Sequence, residues 1–257
     1  MTVLVGVRCT DGIVIGADSA ATSAAGQQPV VSYPLADKIN IVGNRIIHAS
    51  TGMVGLGQRV GEIIKDAHDN KKHFQKSCMD CCKEITRAVI TDFKSTNVLF
   101  HNQLGYGFGT LVAGPFGSSH ELVEFAPMDY QPEIKRDKLF FVSMGSGQTL
   151  ADPFLAFVAR VLWHNELPTT DRAMFGVLWV LSHTVAYAPG GIGEPLSLAV
   201  LRKVSGKWQA RKLDEEELQE PKQHIAEIEK RLGSYPEKML EEAAASAPPT
   251  PPVEPSE

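Results

Sequence analysis

The residue with the most chemistry in it is the second. Met1 precedes Thr2, and removal of an initiator Met before a small residue is the ordinary outcome for a cytosolic protein. The mature chain is therefore expected to begin with threonine. A threonine in that place has a hydroxyl nucleophile and its own α-amine, whose reference pKa of roughly 7.7–8.0 suits a general base near neutral pH. One residue then supplies both roles, although Met-Thr is also a common start to a chain. A second feature is the turn Gly145-Ser146-Gly147, which taken alone is a flexible connection and a serviceable N-cap region for a following helix.

The four cysteines are Cys9, Cys78, Cys81 and Cys82. The last three recur at i, i+3 and i+4, which puts three thiols on one helical face. Such a face is either half of a metal site or redox pair, or a small-residue core face in a reducing compartment. No second Cys/His cluster supplies the missing zinc ligands, which favours the core face, and no metal site is assigned.

The elements that must position Thr2 follow from apolar spacing. Residues 2–7 and 12–17 are apolar runs around a turn-rich spacer, an opening hairpin, and 38–41 and 45–50 flank Gly43-Asn44 as a second. From 54 to 73, and again through Cys78, Cys81, Cys82, Ile85, Val89 and Phe93, the period is helical. Segments 108–114, 121–125 and 138–143 are β-like, 148–164 and 170–187 helical, and 196–203 and 207–212 β-like again. This order predicts an α+β fold, a four-layer αββα sandwich of two antiparallel sheets flanked by helix pairs.

The expected divisions are a domain over 1–213, an acidic helical extension over 214–246 and a Pro-rich tail over 247–257. Within the extension, 216–232 has helical spacing, Gly233-Ser234-Tyr235-Pro236 is expected to break it, and a short helix follows to 245. The tail has five prolines and is expected to be disordered. Net charge is −5, but 214–257 carries twelve acidic and four basic residues, leaving the body at +3. A nearly neutral body without a Lys/Arg stripe excludes a nucleic-acid partner. The longest apolar run, 174–188, is too short and too polar to span a bilayer. With no secretory segment recognised, a cytoplasmic location is expected.

The segments TVLVGVR at 2–8, DGIVIGADS at 11–19, ADKI at 36–39 and STG at 50–52, followed by SMGSG at 143–147, resemble the catalytic half of the proteasome β subunit in order and spacing. The resemblance covers about residues 2–212 and implies the N-terminal nucleophile (Ntn) hydrolase fold. It makes Thr2 the nucleophile, Lys38 the cation beside its hydroxyl and Asp18 the carboxylate that orients Lys38. Gly52 becomes the backbone oxyanion donor, and Ser146 the hydroxyl near the threonine amine. The implied activity is that of a threonine endopeptidase acting on peptides or unfolded proteins without metal or organic cofactor. Ala21, Ala36, Asn40, Ser50 and Val54 would line a roomy substrate pocket, and Thr22 would hold the extended peptide through its backbone.

Departures from the family pattern bear on which branch the chain resembles. Ala186, Tyr187, Ala188 and Pro189 stand before Gly190-Gly191 where archaeal and eukaryotic β subunits usually have an Asp and a Ser, and Ala20 stands where Arg is frequent. The long loop expected over 19–38, the C-terminal extension and the lack of a propeptide beyond Met1 are similar to the betaproteobacterial proteasome homologue (BPH), with HslV and Anbu as neighbours. The resemblance implies homo-oligomeric stacked rings of fourteen subunits, or of twelve, and leaves room for an ATP-dependent unfoldase partner. Two other readings stay open: a small-molecule amidase using the same nucleophile logic, and a proteasome-like ring without peptidase activity serving as scaffold or chamber.

Overall fold

Two short apolar strands, Leu4–Arg8 (β1) and Gly12–Ala17 (β2), pair antiparallel with Leu4 opposite Ala17. Nearly every residue in them is buried, as expected for strands covered on both faces. The computed structural model describes residues 2–25, 28–33, 37–70, 77–96, 108–127, 129–188 and 191–245. Residues 2–215 form one unit, and the chain from Glu216 onward a second.

The first unit holds two five-stranded sheets, antiparallel throughout. Phe141–Met144 (β10), Ser197–Val204 (β11) and Lys207–Lys212 (β12) complete the first, in the order β10-β1-β2-β11-β12. Ile39–Val42 (β5), Ile46–Ser50 (β6), Thr110–Phe116 (β7), Ser119–Phe125 (β8) and Pro132–Lys135 (β9) form the second in sequence order. Between the sheets lies a dry layer that includes Leu4, Ile13, Ile15, Ile39, Ile47, Leu111, Leu122 and Leu201. Because strand side chains alternate, the residues between these positions face the helices.

Helices Val54–Asp69 (α1) and Cys78–Ser95 (α2) cover the second sheet through Leu56, Val60 and Ile64 and through Cys81, Cys82, Ile85, Val89 and Phe93. Ser77 caps α2 by accepting the Asp80 N–H at 3.2 Å, the arrangement that satisfies an otherwise orphaned helix donor. The three clustered cysteines thus lie in an apolar core. The Cys78 and Cys82 sulfurs are 3.9 Å apart, and that contact together with burial pushes the Cys82 thiol up. Among the described residues no group of three or more His, Cys, Asp or Glu could hold a metal ion. Gln148–Leu162 (α3) and Thr170–Tyr187 (α4) cover the first sheet. α4 lies so near β2 that a Cβ on Gly16 would sit 2.6 Å from Val177 and 2.7 Å from Leu181. The four-layer αββα order is the expected one, and no helix of the described residues is long and apolar enough to cross a membrane.

Three local expectations differ from the structure. The segment read as a long loop after Ser19 carries a separate hairpin, Ala21–Ala25 (β3) with Gln28–Tyr33 (β4); its strands are too short and polar to announce themselves by apolar period. β9 was likewise not anticipated, and 138–143 divides into a 3-10 turn at Asp137–Leu139 before β10. One helix, Glu215–Ala245 (α5), runs from the end of the first unit through the described part of the second, past Pro221, Gly233 and Pro236. Proline costs a helix one hydrogen bond, but Glu, Lys, Leu and Ala around it have strong helix propensity, and the Ser234 hydroxyl donates to the Arg231 carbonyl at 3.0 Å. The Pro-rich tail lies outside the described residues.

On β6, His48 stands opposite Asn40 and is buried against α1, where a Cβ on Gly61 would come 3.0 Å from its ring. Burial, with a smaller contribution from the Lys212 charge, pushes its pKa down to about 4. The unfolded chain takes up a proton near pH 6.5 that the folded chain refuses, so this group's contribution to stability falls as pH drops from about 6.5 to about 4 and levels off below. His48→Gln is expected to flatten that part of the stability profile, by on the order of 3 kcal/mol at pH 4 relative to neutrality, as read from urea unfolding at a series of pH values.

Candidate active site

Strand register brings the chemistry to one end of the sandwich. Thr2 lies two residues before β1, Asp18 follows β2, and Leu4 pairs with both Ala17 and Met144, so the starts and ends of three adjacent strands converge. Ser146 comes two residues after that pairing. Lys38 precedes Ile39, which pairs with Ala49. The end of β6, Ser50, is thereby brought beside Lys38, and Gly52 follows two residues later.

Asp18 is the hub. Its side chain is fully buried, and its oxygens are saturated with donors. Oδ1 accepts the Val3 N–H at 2.8 Å and the Lys38 ammonium at 2.6 Å. Oδ2 accepts the Ala20 N–H at 3.2 Å and the Gly193 N–H at 3.3 Å. Val3 and Lys38 touch the same oxygen, so the cation is held close to the Thr2–Val3 peptide. Burial lowers the Lys38 pKa from its ordinary 10.5, and the Asp18 charge opposes that shift. An ammonium so placed favours an alkoxide over a neutral hydroxyl and depresses the pKa of a neighbouring amine.

The glycine-serine-glycine turn closes on the other side of Thr2. The Thr2 nitrogen donates to Ser146 Oγ at 3.0 Å. In the chain that retains Met1 this nitrogen is an amide; it stands where the α-amine of a processed chain would be. The Thr2 carbonyl accepts the Gly147 N–H at 3.1 Å. Gly145 has φ +102°, and a Cβ there would lie 2.3 Å from the Thr2 carbonyl oxygen. Only glycine meets both demands, so the turn approaches the threonine backbone because it lacks a side chain.

Gly52 sits at φ +92° between β6 and α1. The preceding residue is anchored, with the Thr51 N–H donating to the Gly109 carbonyl at 2.9 Å and Thr51 Oγ1 accepting the Gly109 N–H at 3.3 Å. Helix α1 starts with neither a side-chain cap nor an acidic first turn, so its own sequence does not neutralise the positive end of the helix dipole there. A developing oxyanion fits such a place.

The substrate-pocket candidates are less uniform. Asn40 and Val54 are exposed, and Ser50 is half-buried. Ser50 Oγ and Thr110 Oγ1 are hydrogen-bonded at 3.1 Å, and Tyr130 donates its hydroxyl to Thr110 at 3.0 Å. Thr110 and Tyr130 extend the polar floor beneath Ser50 and escaped the sequence reading, since nothing in their spacing marks them. Ala21 and Thr22 open β3, opposite Tyr33 and Val31, with a bulge between them; Ala36 lies outside the described residues. The Gly193 donor was also missed, because a backbone N–H has no signature in sequence.

The family model "Proteasome subunit" matches residues 2–158. No curated protein matches the chain. Among solved structures, the fold is similar to that of an Anbu (Gly-1) mutant from Hyphomicrobium sp. strain MC1, at 16% identity over 92% of this chain and 100% of that one, with TM-score 0.67. It is also similar to Anbu, an ancestral β-subunit, from Yersinia bercovieri, at 18% identity over 96% and 99% with TM-score 0.60. A third similar structure is the helical assembly of the Anbu complex from Pseudomonas aeruginosa, at 17% identity over 97% and 98% with TM-score 0.62. At these identities the likeness to the three structures is one of fold.

The depressed Lys38 pKa has a direct consequence for pH dependence. Any reaction at Thr2 that uses the Lys38 charge is expected to decline on the alkaline side at a pH below 10.5, because the ammonium deprotonates earlier than a solvated lysine. A kcat/KM profile still flat at pH 10.5 would show that the reaction does not use this charge.

Proposed function

We propose that this chain, which belongs to the proteasome subunit family, is a threonine-type peptidase whose nucleophile is Thr2 after removal of Met1. The reading rests on one observation above the others: a single buried carboxylate oxygen of Asp18 accepts both the Val3 N–H and the Lys38 ammonium, while the Thr2 nitrogen points at Ser146 Oγ. A cation and a proton-relaying hydroxyl thus flank the terminal threonine, as acyl transfer from an N-terminal nucleophile requires.

In the proposed reaction the Thr2 hydroxyl attacks the scissile carbonyl and its proton passes to the Thr2 amine, with Ser146 in hydrogen-bond reach of that nitrogen. Lys38 stabilises the alkoxide, and the Gly52 N–H receives the oxyanion, an interaction typically worth ~2.7–4 kcal/mol of barrier. Collapse expels the leaving amine, which takes the proton from the Thr2 ammonium, and leaves an ester. The Thr2 amine then activates a water that hydrolyses it. Ala21, Thr22, Ala36, Asn40, Ser50 and Val54 would contact the peptide.

A second reading, a proteasome-like assembly without peptidase activity, is favoured by a specific feature: Ala186, Tyr187 and Ala188 occupy the stretch where many family members place an Asp and a Ser. Intact mass spectrometry after incubation with a threonine-directed epoxyketone separates the two. Loss of Met1 with one adduct, absent from Thr2→Ala, is expected; a processed but unreactive chain, or one that keeps Met1, would leave the silent assembly standing.

The peptidase is proposed to work inside a homo-oligomeric double ring of fourteen subunits, with twelve as the neighbouring solution, in the cytoplasm of a bacterium. An ATP-dependent unfoldase would deliver unfolded protein to it. Heterologous contacts close into a ring or continue as an open helix depending on a small rotation between subunits, and the Pseudomonas aeruginosa Anbu structure is described as a helical assembly. Mass photometry of the 28.0 kDa chain is expected to give one discrete fourteen-subunit species, whereas a concentration-dependent ladder would indicate an open helix.

A further inference from the structure

Two of the three residues in the turn that meets Thr2 are glycines, Gly145 and Gly147. Glycine permits the close approach but leaves the turn with the softest backbone available. The helix it leads into adds no capping side chain: α3 has Gly147 at its N-cap, no side-chain cap and no acidic residue in its first turn. Something beyond the turn must therefore hold Ser146 in reach of the Thr2 nitrogen.

Asp152, on the second turn of α3, bridges both ends of this segment. Its Oδ1 accepts the hydroxyl of Ser143, a buried side chain on β10, the strand paired with β1 in the register Val5 to Ser143 and Leu4 to Met144. Its Oδ2 accepts the Gln148 side-chain amide at 3.0 Å, from the first residue of α3. One carboxylate thus ties the last strand residues before the turn to the first helical residue after it. Both bonds are charge-assisted, and such bonds are stronger than neutral ones.

We propose that Asp152 is a positioning residue for the reaction at Thr2. Acting through Ser143 and Gln148, it fixes the Gly145-Ser146-Gly147 turn so that Ser146 Oγ stays 3.0 Å from the Thr2 nitrogen. The inference rests on the peptidase reading above. It assigns to α3 a support for the amine side of the site, in a chain where residues 186–188 carry neither an Asp nor a Ser. A loosened turn misplaces a proton-relaying group without touching the substrate pocket, so kcat should suffer and KM should not. Displacement by about 1 Å is enough to cost on the order of 100-fold in rate.

The test is steady-state peptide hydrolysis by the full chain and its Asp152→Ala, Asp152→Asn, Ser143→Ala and Ser143→Ala/Asp152→Ala variants. Amide hydrogen exchange over residues 143–150 is measured in parallel. Asp152→Ala and Ser143→Ala are expected to lower kcat by roughly 10- to 100-fold with KM within about twofold. The double variant should be no worse than the poorer single one, because both substitutions break the same contact. Asp152→Asn, which keeps an acceptor for Ser143, should recover much of the loss. Exchange at Gly147, whose N–H is bonded to the Thr2 carbonyl, should accelerate in Asp152→Ala. Unchanged kcat, equal impairment of the Ala and Asn variants, or additive losses would overturn the proposal. If the wild-type chain is inert, the peptidase reading fails. Faster exchange at Gly147 then still supports the clamp, and unchanged exchange overturns it.

Discussion

Removing a carboxylate from water costs several kcal/mol unless donors replace the solvent, and the Asp18 side chain has no exposed surface at all. Among the described residues four donors replace the water: the N–H groups of Val3, Ala20 and Gly193 and the Lys38 ammonium. Each comes from a different stretch of chain, so satisfying one buried carboxylate requires the start of β1, the end of β2, the approach to β5 and the segment before β11 to meet. The rest of the site is arranged around that requirement.

The two-sheet sandwich makes the meeting possible at little local cost. β1 is the shared neighbour of β2 and β10, so fixing the Asp18 end of one hairpin also fixes the Gly145-Ser146-Gly147 end of the other pairing. Lys38 comes from the residue before β5 of the second sheet, and its ion pair with Asp18 links that sheet to the end of β2. A buried ion pair seldom adds net stability over an apolar isostere, but breaking one by removing a partner is costly. Here the pair holds a cation close to the Thr2–Val3 peptide.

Softness and rigidity are divided along the chain around Thr2. Glycines with positive φ stand at Gly145, where the turn meets the Thr2 carbonyl, and at Gly52 before α1. Anchors stand next to them: Thr51 against Gly109 on one side, Asp152 with Ser143 and Gln148 on the other. The floor below Ser50 is built in the same manner, from the Thr110 and Tyr130 hydroxyls.

Much of this was legible in the amino-acid sequence, and the parts that were not share a physical cause. The order of strands and helices and the core face of Cys78, Cys81 and Cys82 depend on local period and residue type, which sequence alone determined. The hairpin at 21–33 and the unbroken α5 were not legible, because short polar strands carry no period and the cost of a proline can be outweighed by its helix-forming neighbours, here at both Pro221 and Pro236. Only the tertiary structure decided which groups satisfy Asp18, that Gly193 is among them, and that Asp152 spans the Ser146 turn. Backbone N–H groups are the same in every residue but proline, and a carboxylate acquires its meaning from what it is buried against.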